Sequence, residues 1–310
     1  MALKRFQVAE DSMRPGLEPG DEIVATDNRP AVVGEVVVFP HPGRRDFWMV
    51  KRMAEPPLPV SDGQAWVVSD NPGAGAVDSG RIGPVPLATL MPVVRRLDAL
   101  TFMEAVDLLC DEDPALEAQV RRHGMPEFWS RPPGFATLTL LILEQQVSLE
   151  SGAAVYRRLY DEAGGMTPEI ILGLGEDRIR SCGLTRQKTG YVTALAQAVV
   201  SGELDFDELG TAPEDIARSR LLGLRGIGRW TADAYLLSAL GHPDLLPVGD
   251  RALQVGVAET LGLAKVPDEE ELSMLGEPWR PLRSAAARLV WHGYLSTRGR
   301  SEPSHGARLI

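Results

Sequence analysis

Cysteine is scarce, with 2 in 310 residues. Cys110 and Cys182 cannot build a disulfide framework, a zinc knuckle or a four-cysteine iron–sulfur cluster, and they suit a reducing, cytoplasmic address. The 5 histidines, His41, His123, His242, His292 and His305, show no metal-ligand spacing, so neither a metal nor another cofactor is expected. Long apolar runs are also missing. The longest, residues 138–143, is interrupted by Thr139 and falls far short of the roughly 20 residues that span a bilayer, so no membrane contact is expected. The opening MALKRFQVAEDSMRPG reaches Glu10 and Asp11 without an apolar stretch, unlike a secretory signal. Basic charge is in deficit as well. With 32 Lys+Arg against 43 Asp+Glu the net charge is −11, which speaks against a broad nucleic-acid-binding surface.

What remains is ordinary globular composition, 44% hydrophobic and 24% charged, which excludes a disordered or collagen-like chain. At about 150 residues per domain the length suggests two domains. Their textures differ. Residues 1–97 are broken by Pro15-Gly16, Pro19-Gly20, Asp27-Asn28, Pro42-Gly43, Asp62-Gly63 and Asn71-Pro72-Gly73. Between these turns the β-prone runs 22–26, 35–39, 47–51 and 65–69 predict a small all-β domain. Residues 98–310 carry apolar residues at helical spacing over 102–109, 137–160, 215–222, 231–240 and 283–294, predicting an all-α domain. The boundary is placed at Leu97/Asp98, with no flexible linker.

The most informative stretch is residues 221–235, LLGLRGIGRWTADAY. Thr211 and Glu214 have the spacing of a capping box that would start a helix running to about Leu222. Gly226-Ile227-Gly228 then permits a tight turn, and a second helix is predicted to begin near Arg229 or Trp230. A glycine-flanked turn opening a helix presents free amides and a positive dipole end, a seat for a phosphate. Taken alone, it is equally a plain turn between packed helices.

The surrounding series decides between these readings. Leu143-Glu144-Gln145-Gln146-Val147-Ser148, then Cys182-Gly183-Leu184 with Lys188, the hairpin 224–232, Asp250, and 279–284 leading to Trp291 resemble the helix-hairpin-helix superfamily of DNA glycosylases. Within it they resemble the 3-methyladenine DNA glycosylase II group, over roughly residues 98–300. The resemblance implies an enzyme that flips a nucleotide from double-stranded DNA, holds an alkylated base between aromatic faces and stabilises an oxocarbenium-like sugar. It puts Asp250 in the catalytic position. One carboxylate suffices where the base is cationic and leaves without protonation. The competing structural role of Asp250 is to cap the helix that follows, and the two roles are compatible.

The same resemblance assigns Gly226, Gly228, Arg225 and Arg229 to DNA, and Gln146 to the gap left by the flipped base; as a purely structural residue Gln146 would instead tie helix ends together. Trp230, Trp291 and Tyr235 are assigned to the base pocket, with core packing as the alternative for the tryptophans. In members that also nick the backbone a lysine follows the second glycine by two residues. Here that residue is Trp230, which cannot act as an amine nucleophile, so an abasic site is the expected product. The sequence departs from the pattern at Ala234, where some members have tyrosine, and at Gly249, where a second acid precedes the catalytic one.

In the first domain Glu10-Asp11-Ser12-Met13-Arg14-Pro15, Pro19-Gly20-Asp21, residues 34–39, Val50-Lys51-Arg52, Ser69-Asp70-Asn71, Asp78-Ser79 and Gly83-Pro84-Val85 resemble the signal peptidase and SOS-repressor clan of serine peptidases. The resemblance implies a Ser12 nucleophile and a Lys51 general base, which requires burial to keep the lysine neutral. Met13, Trp48, Met49 and Met53 could supply apolar surroundings. The structural alternative is a turn serine and a solvated lysine. With no anchoring helix expected, self-processing or a dedicated soluble protein substrate is the implied partner.

The combined expectation is a monomeric DNA-repair glycosylase fused to a soluble Ser/Lys peptidase-like module. In the alternative, the peptidase is the activity and the helical domain only docks it to DNA. A third reading has both domains serving as a binding scaffold. Residues 1–97 hold 11 Lys+Arg against 12 Asp+Glu, and the remainder holds 21 against 31, so the acidity lies in the half expected to bind DNA. Its acids gather in 111–113, 205–208 and 268–271, whereas Arg218, Arg220, Arg225 and Arg229 follow one another with no acid between them. That arrangement predicts weak, localised, single-face binding.

Overall fold

The computed structural model describes residues 3–300, so His305 lies outside the described residues. The chain divides into two compact units, Met1–Leu108 and Leu109–Ile310. In the first, β1 (Lys4–Gln7) pairs antiparallel with β2 (Glu22–Ala25). The strands β3 (Val36–Pro40), β4 (Trp48–Ala54), β5 (Gln64–Val68), β6 (Val85–Pro86) and β7 (Met91–Pro92) form an antiparallel sheet in the order β6-β5-β4-β3-β7. All four expected runs become strands. β6 and β7 are two-residue edges, too short to show a period, and their prolines are tolerated where one side of the strand is unpaired. A purely β description omits α1 (Ser79–Ile82), whose N-cap Asp78 accepts the Gly80 N–H at 2.9 Å.

β3 explains the core of this unit. Alternate side chains point to opposite faces of a strand. Val36 and Val38 join Val8, Met13, Ile23 and Val93 in one cluster, while Val37 and Phe39 join Met49, Val67 and Val85 in another. Buried on both sides, the strand reads as an unbroken apolar run. The unit extends past the composition change at Leu97/Asp98 into α2 (Ala99–Glu112). Glu104 Oε2 there accepts from Asn28 Nδ2 at 2.9 Å and Thr26 Oγ1 at 3.2 Å, drawing the start of the helix onto β2 and its following loop.

The second unit is helical throughout its regular elements among the described residues. After α3 (Pro114–His123) come α4 (Phe135–Glu144), α5 (Leu149–Ala163), α6 (Pro168–Leu174), α7 (Glu176–Ser181) and α8 (Arg186–Val200). Then follow α9 (Phe206–Thr211), α10 (Glu214–Leu222), α11 (Arg229–Ser238), α12 (Arg251–Leu261), α13 (Glu269–Leu275) and α14 (Arg283–Thr297). α4 is apolar on nearly every side apart from Thr137, Thr139 and Glu144, is correspondingly buried almost all round, and lies against α5, α8 and α11. α14 packs on α12 and α3. Buried Trp279 donates its indole N–H to Asp113 Oδ2 at 2.8 Å, and Asp113 is also the N-cap of α3.

Two sequence expectations change here. The single helical segment 137–160 is two helices broken at 145–148, where Gln146 takes φ +58° and Ser148 caps α5 by accepting the Ser151 N–H. The capping box at Thr211 and Glu214 does not form. Thr211 ends α9, its hydroxyl donating to Asp207 O and Glu208 O, and the N-cap of α10 is Pro213. Proline disfavours helical geometry in the residue before it, so Ala212 is extended and cannot carry the chain straight into α10. The capping box of this unit is Asp268 with Glu271, at the head of α13.

At the end of α4 a charge pair is taken out of water: Arg131 Nη1 and Nη2 donate to Glu144 Oε2 and Oε1 at 3.0 and 3.1 Å, with both side chains under 5% exposed. Glu144→Ala is expected to cost about 3–5 kcal/mol by stranding a buried guanidinium, and Arg131→Met with Glu144→Leu to recover most of it. Urea unfolding of the full chain followed by circular dichroism at the helix band tests this; a double variant no more stable than Glu144→Ala would refute it.

Candidate active sites

The helix hairpin is formed by α10, the turn 223–228 and α11. Gly226 has φ +90°, and a Cβ there would run into the ring of Tyr191 on α8. Both conditions require glycine. Gly228 is the N-cap of α11 and offers no capping side chain; the ladder starts only with Ala232 N–H to Gly228 O at 3.0 Å. The first-turn amides are therefore without acceptors in the helix and add to its positive dipole end.

The hairpin is tied to the broken segment after α4. Gln145 Nε2 donates to Gly226 O at 2.9 Å and to Thr231 Oγ1 at 2.8 Å. Lys188 Nζ donates to Leu143 O at 2.7 Å and Gln145 O at 2.8 Å, taking up carbonyls that the end of α4 leaves open. Burial lowers the Lys188 pKa from the usual lysine range. Between these bonds Gln146 is held in the left-handed region, a conformation that costs a non-glycine residue about 1–3 kcal/mol and persists only when its surroundings enforce it.

Facing this scaffold, Asp250 caps α12 by accepting the Leu253 N–H on Oδ1 at 2.8 Å. The same oxygen accepts from Trp291 Nε1 at 3.1 Å, and Oδ2 accepts from Trp230 Nε1 at 2.8 Å. One backbone amide and two indoles thus fix the carboxylate, a partner set suited to an acceptor-only group. Gln146, Gly226, Gly228, Arg229, Trp230 and Asp250 line one cavity of about 960 Å³.

Tyr235 does not belong to that cavity. It is fully buried, its hydroxyl accepts the Gly134 N–H at 2.8 Å, and burial pushes its pKa well above the usual value. Helical spacing explains the correction: five residues beyond Trp230, Tyr235 falls on the opposite side of α11, toward the core. Trp291 is also outside the cavity wall; it reaches the site through its indole N–H on Asp250. The arginine series 218, 220, 225 and 229 is not uniformly free either. Arg218 pairs with Asp233 and Glu214, Arg220 with Glu208, and Arg229 lies 3.8 Å from Asp233. The helical turn brings Asp233 back beneath them, which a linear search for intervening acids misses. Arg225 is exposed and makes no ion pair among the described residues. Tyr191, Arg251 and Glu269 line the cavity without having been singled out in the sequence, and the structural roles of Gln145 and Lys188 likewise emerge only here.

A second cavity, of about 1040 Å³, opens in the β unit beside Ser12 and Lys51. Lys51 Nζ donates to Ser12 Oγ at 2.7 Å and to Val50 O at 2.9 Å, and both residues are at most 5% exposed. The turn bearing Ser12 is pinned by Asn71, whose N–H donates to Ser12 O at 3.0 Å and whose Nδ2 donates to Asp11 O at 3.1 Å. Burial lowers the Lys51 pKa, although Asp78, Glu10 and Asp70 act in the opposite direction. A neutral amine at this distance can take the hydroxyl proton, reversing the direction of the same hydrogen bond.

Residues 140–281 match the model of the HhH-GPD superfamily base excision DNA repair protein. The second unit carries an HhH-GPD domain, the helix-hairpin-helix class of base-excision proteins. Within that class it matches 3-methyladenine DNA glycosylases. DNA-3-methyladenine glycosylase 1 of Schizosaccharomyces pombe is 24% identical over 195 residues, covering 56% of this chain and 86% of that protein. The alkylbase DNA glycosidase-like protein mag2 of the same yeast is 28% identical over 126 residues, 40% of this chain and 59% of its own length, so the chain spans less than two thirds of that relative. Among solved structures, the S. pombe 3-methyladenine DNA glycosylase in complex with abasic DNA superposes with TM-score 0.57 at 25% identity, covering 60% of this chain and 94% of that one. The DNA-3-methyladenine glycosidase from Bacillus halodurans gives 0.56 at 28% identity, covering 64% and 92%.

Gly226→Ala is expected to lower the stability of the helical unit by at least about 1–2 kcal/mol through the backbone alone. Combining it with Tyr191→Ala should cost less than the sum of the two single changes, because the lost ring contact is shared. Thermal unfolding of the four proteins measures this. Additive losses would show that the Tyr191 ring is not what constrains Gly226.

Proposed function

We propose that the helical unit is a monofunctional DNA glycosylase that excises alkylated bases and leaves an abasic site. The observation that carries this reading is the Asp250 carboxylate, fixed by three N–H donors in a cavity shared with the hairpin turn. The amides of the hairpin and exposed Arg225 receive backbone phosphates. Gln146, in its enforced left-handed turn, enters the gap left by the extruded nucleotide, and Trp230 on the cavity wall contacts the base. As the glycosidic bond breaks, positive charge develops on the sugar and Asp250 stabilises it, while a cationic base departs without needing a proton donor. Water completes the substitution at the sugar carbon. Lys188 is the lysine on the cavity wall among the described residues, and its ammonium is engaged by two carbonyls. That engagement, with Trp230 at the head of α11, favours hydrolysis over Schiff-base chemistry.

Release of methylated base from alkylated duplex by the full chain tests this reading. Asp250→Asn, which can keep the cap on Leu253 but removes the charge and the acceptor facing the Trp230 indole, should lower single-turnover release by about 10²–10³-fold. Strand breaks should require alkali or an abasic-site endonuclease. Full activity in Asp250→Asn would exclude the mechanism.

For the β unit we propose a Ser/Lys acyl-transfer site of the peptidase type, carried by the 2.7 Å contact between two buried side chains. Ser12 Oγ would attack a peptide carbonyl while Lys51 takes its proton and passes it to the departing amine. Because burial depresses the Lys51 pKa, labelling of Ser12 by a fluorophosphonate should rise with pH through a midpoint below the ordinary lysine value of 10.5. Stability linked to Lys51 should rise over the same window, since the unfolded chain binds the extra proton there. Ser12→Ala and Lys51→Met should abolish labelling. Labelling that persists in Ser12→Ala, or wild-type protein inert at every pH, would sink the proposal.

A further inference from the structure

Three carboxylates face the cavity of the helical unit: Glu144, Asp250 and Glu269. Two are committed. Glu144 is locked in its bidentate pair with Arg131, and Asp250 is held by Leu253, Trp230 and Trp291. Glu269 is exposed and makes no ion pair among the described residues. Its backbone position is nonetheless defined. It is the first residue of α13, whose N-cap Asp268 forms the capping box with Glu271, and Glu271 is in turn bound by Lys265 at 2.5 Å.

Gly249, which precedes Asp250 and lines the same cavity, carries no side chain toward Glu269. A Cβ at residue 249 would stand 3.4 Å from Glu269 Oε1 and 3.8 Å from its Cδ. A methyl group would only touch the carboxylate, whereas a longer side chain would compete for the space. The φ of Gly249 lies outside the left-handed region, so the backbone does not call for glycine there. The missing side chain leaves the space next to the Glu269 carboxylate open, and that carboxylate borders it from the head of α13.

We propose that Glu269 is a specificity-determining residue of this cavity, favouring a flipped base that bears positive charge over a neutral base of similar shape. The inference rests on the glycosylase reading above. An unpaired carboxylate on the cavity wall interacts with a delocalised cation more strongly than with a neutral ring, even from an exposed position.

The test is the ratio of single-turnover release of 7-methylguanine, which is cationic in DNA, to release of neutral hypoxanthine by the full chain. In Glu269→Gln the ratio should fall by about tenfold, and further in Glu269→Lys. Both changes are at an exposed position, and far-ultraviolet circular dichroism checks that the helices are retained. A merely structural role would lower both releases together and leave the ratio unchanged; that outcome overturns this inference while the glycosylase reading stands. Wild-type protein that releases neither base overturns the glycosylase reading and this inference with it.

Discussion

The helical site depends on how one carboxylate is held. A side chain with two oxygens and rotatable bonds is a poor electrostatic tool unless its orientation is fixed before substrate arrives. Asp250 gains that fixation from helix capping, which satisfies an amide that α12 would otherwise leave open, and from two indole N–H groups on α11 and α14. The three donors come from separate elements. The geometry of Asp250 therefore registers the packing of three helices at once, and α14 lies directly on α12. Capping and the proposed charge stabilisation draw on the same carboxylate, because the group that completes the helix also lines the cavity.

The same economy governs the rest of the cavity. A helix that ends in the interior leaves carbonyls to be satisfied, and Lys188 does this for α4. Gln145 then uses its amide to join that end to the hairpin turn, and Tyr191 covers the turn at a glycine that has no room for a side chain. The left-handed Gln146 sits between these fixed points. The half-buried side chains of Gln145 and Lys188 are thus given partners, and these partners position the neighbouring backbone. In the β unit the arrangement is different. Lys51 is buried against a hydroxyl and a carbonyl rather than a carboxylate, so desolvation acts on the ammonium with little direct compensation.

Much of the fold was legible because the patterns were local. The runs 22–26, 35–39, 47–51 and 65–69 carry the β-prone residues and turn signals that strands need, and Gly226-Ile227-Gly228 marks its own turn. The failures came where local signals competed. Thr211 and Glu214 have capping-box spacing, but Pro213 sets the backbone before Glu214, so Thr211 closes one helix instead of opening the next. The apolar periodicity of 137–160 persists across a break that is enforced by bonds to Lys188 and the hairpin, residues distant in the chain. Charge reading failed for the same reason: Asp233 follows the arginines in sequence yet lies against Arg218 in space.

Residue identity alone determined that this chain has a glycine turn capable of receiving a phosphate, an acid able to head a helix, a tryptophan rather than an amine at residue 230, and a serine and a lysine in a β-rich segment. These follow from side-chain chemistry and backbone freedom, which are properties of single residues and short words. Tertiary structure decided which of them meet. It gave the indole N–H groups of Trp230 and Trp291 to Asp250, removed Tyr235 to the core, consumed Arg218 in an ion pair, and set the Glu269 carboxylate on the cavity wall next to Gly249. Each of these outcomes depends on distances between helices and on the cost of burying polar groups without partners, and neither is written in the spacing of residues along the chain.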